Sequence, residues 1–327
     1  MTDLRAALVA VCGQAHVRQN EPLAPYTTFH VGGPAEWFVE TRSRDELLRV
    51  LRLACAATLP VTILGGGSNV LVADAGVRGV VIHPHGGDVC WIDDHQVRAD
   101  AGVSINGLVR WTIARGAAGL EAWAGTPGTV GGAIFGNAHF GGRLIGDLIA
   151  SVELSTREGV VQTLHAQDMA FGYDHSRLRH SGEVLLSADF RVTPGDPAVL
   201  RAVARESLTF RKRTQPLARP SAGCVFQNPD PAQTRLPVGV PWSAGALVDR
   251  AGLKGLAIGG ARVSPEHGNF IVNEGRATAA EIRTLIERCR RTVRERFDVE
   301  LREEIVYLGE FSPTAEWAGG NEWQTER

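Results

Sequence analysis

The chain has 327 residues, 44% of them hydrophobic and 21% charged, with a formal net charge of −2. That length accommodates two or three domains with buried cores. The near-neutral charge excludes a globally basic surface for nucleic acid, and no apolar run approaches the roughly 20 residues needed to span a bilayer. Cys12, Cys55, Cys90, Cys224 and Cys289 are scattered and include no CxxC pair. Neither a zinc site nor a disulfide framework is therefore expected, and a reducing cytoplasm fits best. The segment Met1–Arg5 lacks the basic-then-apolar pattern of a secretory signal.

In chain order, Asp3 to Cys12 reads as a short helix with Leu4, Ala7, Leu8 and Val11 on one face. A breaker-rich loop, 27–35, leads to a strand at 36–39. Ser43 and Glu46 form a capping box that opens a helix carrying Leu47, Leu48, Leu51 and Cys55. Strands at 61–64, 70–72 and 79–82 complete a small α/β lobe ending near Pro84. The loop Gly65-Gly66-Gly67-Ser68-Asn69 follows the first of these strands. A second lobe begins near Val89, with a strand at 96–100, a helix capped by Ser104, a hairpin at 151–164 and a strand at 183–192. Helical pattern from Asp196 to Arg213 is broken by Pro216 and Pro220. The third segment holds a helix near 244–251, a strand at 269–273, a long helix opened by the Thr278/Glu281 capping box and a strand around 299–308. The tail after 310 is polar and aperiodic, and disorder is expected there. The expected divisions are thus 1–85, 86–205, 206–309 and 310–327.

Two glycine-rich stretches bear on function. Gly125-Thr126-Pro127-Gly128-Thr129-Val130-Gly131-Gly132-Ala133-Ile134-Phe135-Gly136-Asn137 has too many glycines for a helix interior and too few charges for a solvated linker. The 65–69 loop could present successive N–H groups to an anion, with Ser68 and Asn69 adding donors. Close packing between lobes accounts for glycine equally well. Together the loops suggest one extended ligand, a dinucleotide, held between them.

These residues carry a resemblance to the UDP-N-acetylenolpyruvoylglucosamine reductase family. Thr27-Thr28-Phe29 with Gly32-Gly33-Pro34-Ala35 is similar to its N-T-F-x-x-G-G-x-A. Residues 64–69 match its L-G-G-G-S-N, and 125–133 resemble G-I-P-G-T-V-G-G-A. The run from Val263 to Asn273, with Gly275 and Ala277-Thr278-Ala279, fits its third domain. The resemblance covers roughly residues 20 to 309 and lacks the tyrosine-bearing insertion of the longer form. It implies an α+β fold: a two-lobed FAD-binding cradle of the vanillyl-alcohol-oxidase type plus a third α/β substrate-binding domain. It also implies FAD and NADPH as cofactors and a UDP-sugar as substrate, without nucleic acid, membrane, metal or an obligate protein partner. Cofactor contacts would come from Gly65, Gly66, Gly67, Ser68, Asn69, Thr126, Pro127, Gly128, Thr129, Gly131 and Ala133. Substrate contacts would come from Tyr173, Arg211, Asn228, Lys254 and His267. Another flavin oxidoreductase on this cradle, or a nucleotide-sugar-binding protein without catalysis, are the alternatives.

Three catalytic side chains are implied: a glutamate, which falls on Glu304; a serine proton donor, replaced here by Cys224 in Gly223-Cys224-Val225-Phe226-Gln227-Asn228-Pro229; and an arginine. The motif F-G-Y-R-x-S reads Phe171-Gly172-Tyr173-Asp174-His175-Ser176 here, so an aspartate stands at the arginine position. Arg177, Arg179 or an imidazolium at His175 could replace it, and Arg177 is the preferred reading. The family's N-A-G-A-Y-G is also altered, to Asn137-Ala138-His139-Phe140-Gly141-Gly142. A thiol at an ordinary pKa of ~8.5 would be the stronger acid in place of the serine.

Overall fold

The computed structural model describes residues 4–311 other than 233, 237 and 238. The region expected to be a disordered tail lies almost wholly outside them. The first sheet has the order Val17–Pro22, Pro34–Thr41, Val77–Pro84, Val61–Ile63, with both neighbours of the Val77–Pro84 strand running parallel to it. The helix Arg44–Ala56 joins two of these strands, and its Leu47, Val50, Leu51 and Ala54 pack with Val80, Ile82 and Leu8. Ser43 caps it by accepting from Glu46 N, but the Glu46 carboxylate turns back to Arg42 N at 2.8 Å. The expected reciprocal box is therefore half formed.

Val70–Val72 does not join that sheet. It pairs in parallel with Val306–Leu308 near the end of the described chain. Of the strand expected around 299–308, only this piece forms a ladder. The third segment is anchored to the first lobe in two further ways. Asp74 accepts from Ala279 N (2.8 Å) and Ala280 N (3.0 Å), placing a carboxylate where the first turn of helix Ala279–Phe297 has unpaired N–H groups. Phe29, Val31 and Leu71 sit in one core with Val225, Phe226, Leu247, Val263, Ile282 and Leu285.

The second sheet is antiparallel, in the order Val161–His165, Ile149–Ser155, Val184–Arg191, Gln96–Asp100, Val89–Asp93. Its middle strand is buried on both faces. Leu185, Ala188 and Phe190 face the second-lobe core, whereas Val184 and Leu186 enter the core of the first. Helix Pro197–Thr214 runs unbroken through the position expected for a boundary at 205/206, and its Leu200 and Ala204 belong to the second-lobe core. Among the described residues no helix is long and apolar enough to cross a membrane.

The stretch 125–137 departs from its expected non-helical reading: Val130–Phe135 is a helix. Two contacts outweigh glycine's low propensity. Thr129 caps the helix by accepting from Gly132 N at 3.3 Å. Gly131 has room for no Cβ without crowding Ala101 O at 3.2 Å.

Candidate active site

The two glycine loops touch. A Cβ on Gly66 would lie 2.5 Å from Gly128 Cα, and one on Gly65 would lie 2.6 Å from Thr129 Oγ1. Gly67 has φ 61°, and a Cβ there would meet Tyr26 O at 2.0 Å. Glycine at these positions is therefore demanded by loop-to-loop packing. Gly67→Ala should cost about 2–5 kcal/mol, from overpacking plus left-handed strain. The measurement is the urea midpoint, and an unchanged midpoint would refute this reading of the loop.

Other glycines are not used in this way. On the helix 130–135, a Cβ on Gly132 would meet nothing nearer than its own cap Thr129 Oγ1 at 3.7 Å, and on Gly136 nothing nearer than 3.8 Å. This bare backbone face suits the flat group that the cradle is expected to hold. Pro127 is exposed beside it, whereas Ala133 points into the second-lobe core. Arg211 reaches this stretch rather than the third segment. Its Nη2 donates to Thr126 Oγ1 at 2.7 Å, and its guanidinium lies 3.7 Å from the Phe140 ring centre. Burial without a carboxylate partner lowers it to about 10.

Asn137 organises the next layer from a left-handed conformation, φ 46°. Its amide donates to Gly172 O at 2.7 Å and accepts from Gly146 N at 2.9 Å. Gly172 and His175 exchange backbone hydrogen bonds across a tight turn with Tyr173 and Asp174 at its tip, Asp174 at φ 52°. Ser176 Oγ ties the turn to Phe135 O at 2.8 Å. Asp174 is thereby held inward, only 5% exposed, and its Oδ1 meets His139 Nδ1 at 3.0 Å. The His139 ring lies 4.8 Å from that of Tyr173.

Glu304 arrives from the opposite side. Its N–H donates to Val225 O (2.8 Å), and its carbonyl accepts from Asn69 Nδ2 (3.1 Å), so the glycine loop itself positions it. Donor atoms of His139, Asp174 and Glu304 lie within 4.8 Å of one another. Burial, reinforced by Asp174 and opposed by His139 and Arg179, pushes the Glu304 carboxyl up to about 8. The neighbouring Glu303 is instead paired with Arg290 at 3.0 Å.

Cys224 lies on the same face, paired with Phe270 through an isolated bridge. Burial first, then Glu304 and Asp174, push its thiol up to about 12. This corrects the expectation of an ordinary thiol: the group is a weaker acid and stays protonated. Asn269, which sequence reasoning left unassigned, clamps the loop by accepting from Phe226 N (2.9 Å) and donating to Phe226 O (2.7 Å). His267 Nδ1 in turn accepts from Asn269 N at 3.2 Å, and burial lowers its pKa.

Arg177 does not reach this cluster. Its Nε and Nη2 are taken up by Glu183 at 2.9 and 3.1 Å. His175 Nδ1 hydrogen-bonds Ala170 O, and its ring lies tilted 5.5 Å from that of His180. Arg179 is the arginine that feels both Asp174 and Glu304; its Nε is buried without a hydrogen-bond partner, and burial lowers its pKa. Tyr173 lines an open groove with Asn228, Arg235 and Arg302. Asn228 Oδ1 also caps the helix Ala244–Arg250 at Ala244 N, 3.0 Å, and Lys254 pairs with Asp249 at 2.9 Å.

Residues 35–165 match the FAD binding domain family, and residues 215–308 match the UDP-N-acetylenolpyruvoylglucosamine reductase C-terminal domain. The UDP-N-acetylenolpyruvoylglucosamine reductase of Geobacillus thermodenitrificans is 36% identical over 93% of this chain and 96% of its own. Reductase 2 of Symbiobacterium thermophilum is 39% identical over 90% of this chain and 92% of its own. The crystal structure of the reductase from Thermus caldophilus superposes with a TM-score of 0.74 at 34% identity, covering 90% of this chain and all of that one. With both family domains in order and relatives matched nearly end to end, the chain belongs to the UDP-N-acetylenolpyruvoylglucosamine reductases, FAD-dependent oxidoreductases of peptidoglycan synthesis that take their reducing equivalents from NADPH.

Proposed function

We propose that this chain reduces the enolpyruvyl group of UDP-N-acetylglucosamine enolpyruvate to UDP-N-acetylmuramate in the cytoplasm, at the cluster of Cys224, Glu304 and Arg179. The convergence of a protonated thiol, a neutral carboxyl and a guanidinium from three separate segments carries the reading. Bound FAD would supply the two-electron chemistry between NADPH and the enolpyruvyl group. Gly65 to Asn69, Thr126 to Thr129 and the bare face of helix 130–135 would hold it.

The protein's own task is the charge left on the substrate. Glu304, kept protonated by burial, donates a hydrogen bond to the enolate oxygen, as an ionised carboxylate could not. Arg179 faces the substrate carboxylate in place of the arginine that Asp174 displaced. Cys224 delivers its proton to the α carbon and is reprotonated from solvent. Tyr173, Asn228, Lys254 and His267 form the wall for the UDP-sugar, and Arg211 fixes the flavin-side loop that faces it.

The test is NADPH oxidation dependent on the UDP-enolpyruvyl sugar. Arg179→Ala should lower kcat/KM by about 100-fold, the scale of one lost transition-state charge contact. Arg177→Ala, which removes the Glu183 pair and a bond to Asp168 O, should act on stability. Equal loss of turnover in both variants would sink the Arg179 assignment.

A further inference from the structure

We propose that His139, held by Asp174, is a further catalytic cation for enolpyruvyl reduction, its Nε2–H directed at the developing enolate. This rests on the reading that Cys224 and Glu304 flank the reacting carbons. The observation behind it is a matched pair of departures. Where the family pattern has glycine and arginine, this chain has histidine at 139 and aspartate at 174, and the two side chains meet at 3.0 Å. Asp174 alone would place a buried anion beside Glu304 and oppose any negative charge on the substrate. Joined to an imidazolium, its charge is balanced within an ion pair, and the ring is the cationic half.

The geometry fixes which nitrogen is available. Asp174 engages Nδ1, so Nε2 is the ring nitrogen left for a substrate. Asp174 is carried by a turn that Gly172 and His175 close and that Asn137 and Ser176 tie down. It is thus a positioning residue, setting the tautomer and orientation of the ring. The Asp174 hydrogen bond also raises the His139 pKa above its ordinary value, against a burial penalty. The charged and titratable groups around the imidazole are Asp174 and Tyr173 on the turn, Arg179 beyond it, Glu304 and Cys224 opposite. Arg143 lies on the paired strand, and Arg211 sits over the adjacent Phe140.

The experiment follows the flavin absorbance in stopped flow, comparing its reduction by NADPH with its reoxidation by the UDP-enolpyruvyl sugar in the same sample. For His139→Gln, reoxidation should fall about 100-fold relative to reduction. His139→Arg, which keeps a cation, should recover much of that loss. NMR titration of the histidine ring signals gives an independent readout: the signal missing in His139→Gln should titrate above the ordinary ~6.5 in the unaltered protein and move down in Asp174→Asn. Unchanged reoxidation in His139→Gln, or a His139 signal titrating below ~6.5, would overturn the proposal. So would a stoichiometric divalent metal by elemental analysis with turnover lost to a chelator, because the cation would then be the metal. If the unaltered protein's reduced flavin is not reoxidised by the sugar at all, the reaction assignment fails instead.

Discussion

Cys224→Ala should slow reoxidation of the reduced flavin by the UDP-enolpyruvyl sugar by about 10²–10⁴-fold, the usual span for one general acid. Cys224→Ser should keep an appreciable part of the rate. The prediction turns on what the fold does to the thiol. Burial, Glu304 and Asp174 all oppose the thiolate and hold the group at about 12. The proton is therefore present throughout the working pH range, and the thiolate left after donation is a strong enough base to recover it at once. An alcohol in the same place is also a neutral donor, which is why serine should be tolerated and alanine should not. The same environment makes a second, chemical forecast. Alkylation of Cys224 by iodoacetamide at pH 8 should be much slower than that of the exposed Cys55 and Cys90. Equal reoxidation rates in the alanine and serine variants would remove the thiol from the mechanism.

Glu304→Ala should lower the same step by about 10²–10³-fold, the cost of one lost donor to an oxyanion. Glu304→Gln keeps a neutral donor and should lose less, but it should lose pH dependence. Activity in the unaltered enzyme should fall as pH rises through about 8, where the carboxyl ionises and begins to repel the enolate. Stability carries the same signature. The unfolded carboxyl titrates near ~4.3, so between that pH and about 8 the folded state holds a proton that the unfolded state has lost. Stability contributed by that proton is complete below the window, declines through it and is gone above it. Glu304→Gln should therefore melt a few degrees higher than the unaltered protein at pH 8.5 and gain little at pH 5. A constant difference between the two melting curves across that range would contradict the buried, protonated state.

Most of the fold was legible where a repeating pattern ran long enough to be read. Ser104 and Thr278 announced their helices, and the apolar spacing of Leu47, Leu48 and Leu51 located another. What escaped was short or depended on a distant partner. The strand at 70–72 is readable, but three residues do not say which sheet they join, and their mate is at 306–308. The helix at 130–135 is set by Thr129 and by the groove along Ala101, which glycine content conceals.

The site divides in the same way. Cys224 and Glu304 could be placed from motif position because each sits in a run of matching residues. The choice between Arg177 and Arg179 could not, because Arg177 precedes the one-turn helix Leu178–Ser181 and Arg179 lies on it, so the two leave the chain in different directions. Only the fold shows that Glu183 claims the first of them. The fit of His139 to Asp174 was likewise out of reach. Both departures were visible in the sequence, but nothing local said that positions 35 residues apart meet.

The bond from Asn69 to Glu304 spans 235 residues. A ribosome adding roughly 5–20 residues per second needs about 10–50 s to cover that distance. For that time the first lobe exists without the strand that pairs with Val70–Val72 and without the Val225 and Phe226 side that covers Phe29 and Leu71. Flavin can meet a finished seat only after nearly the whole chain has emerged, so cofactor loading belongs to the end of synthesis. A chain cut short anywhere between residues 137 and 304 carries the glycine loops but not the residue they hold in place.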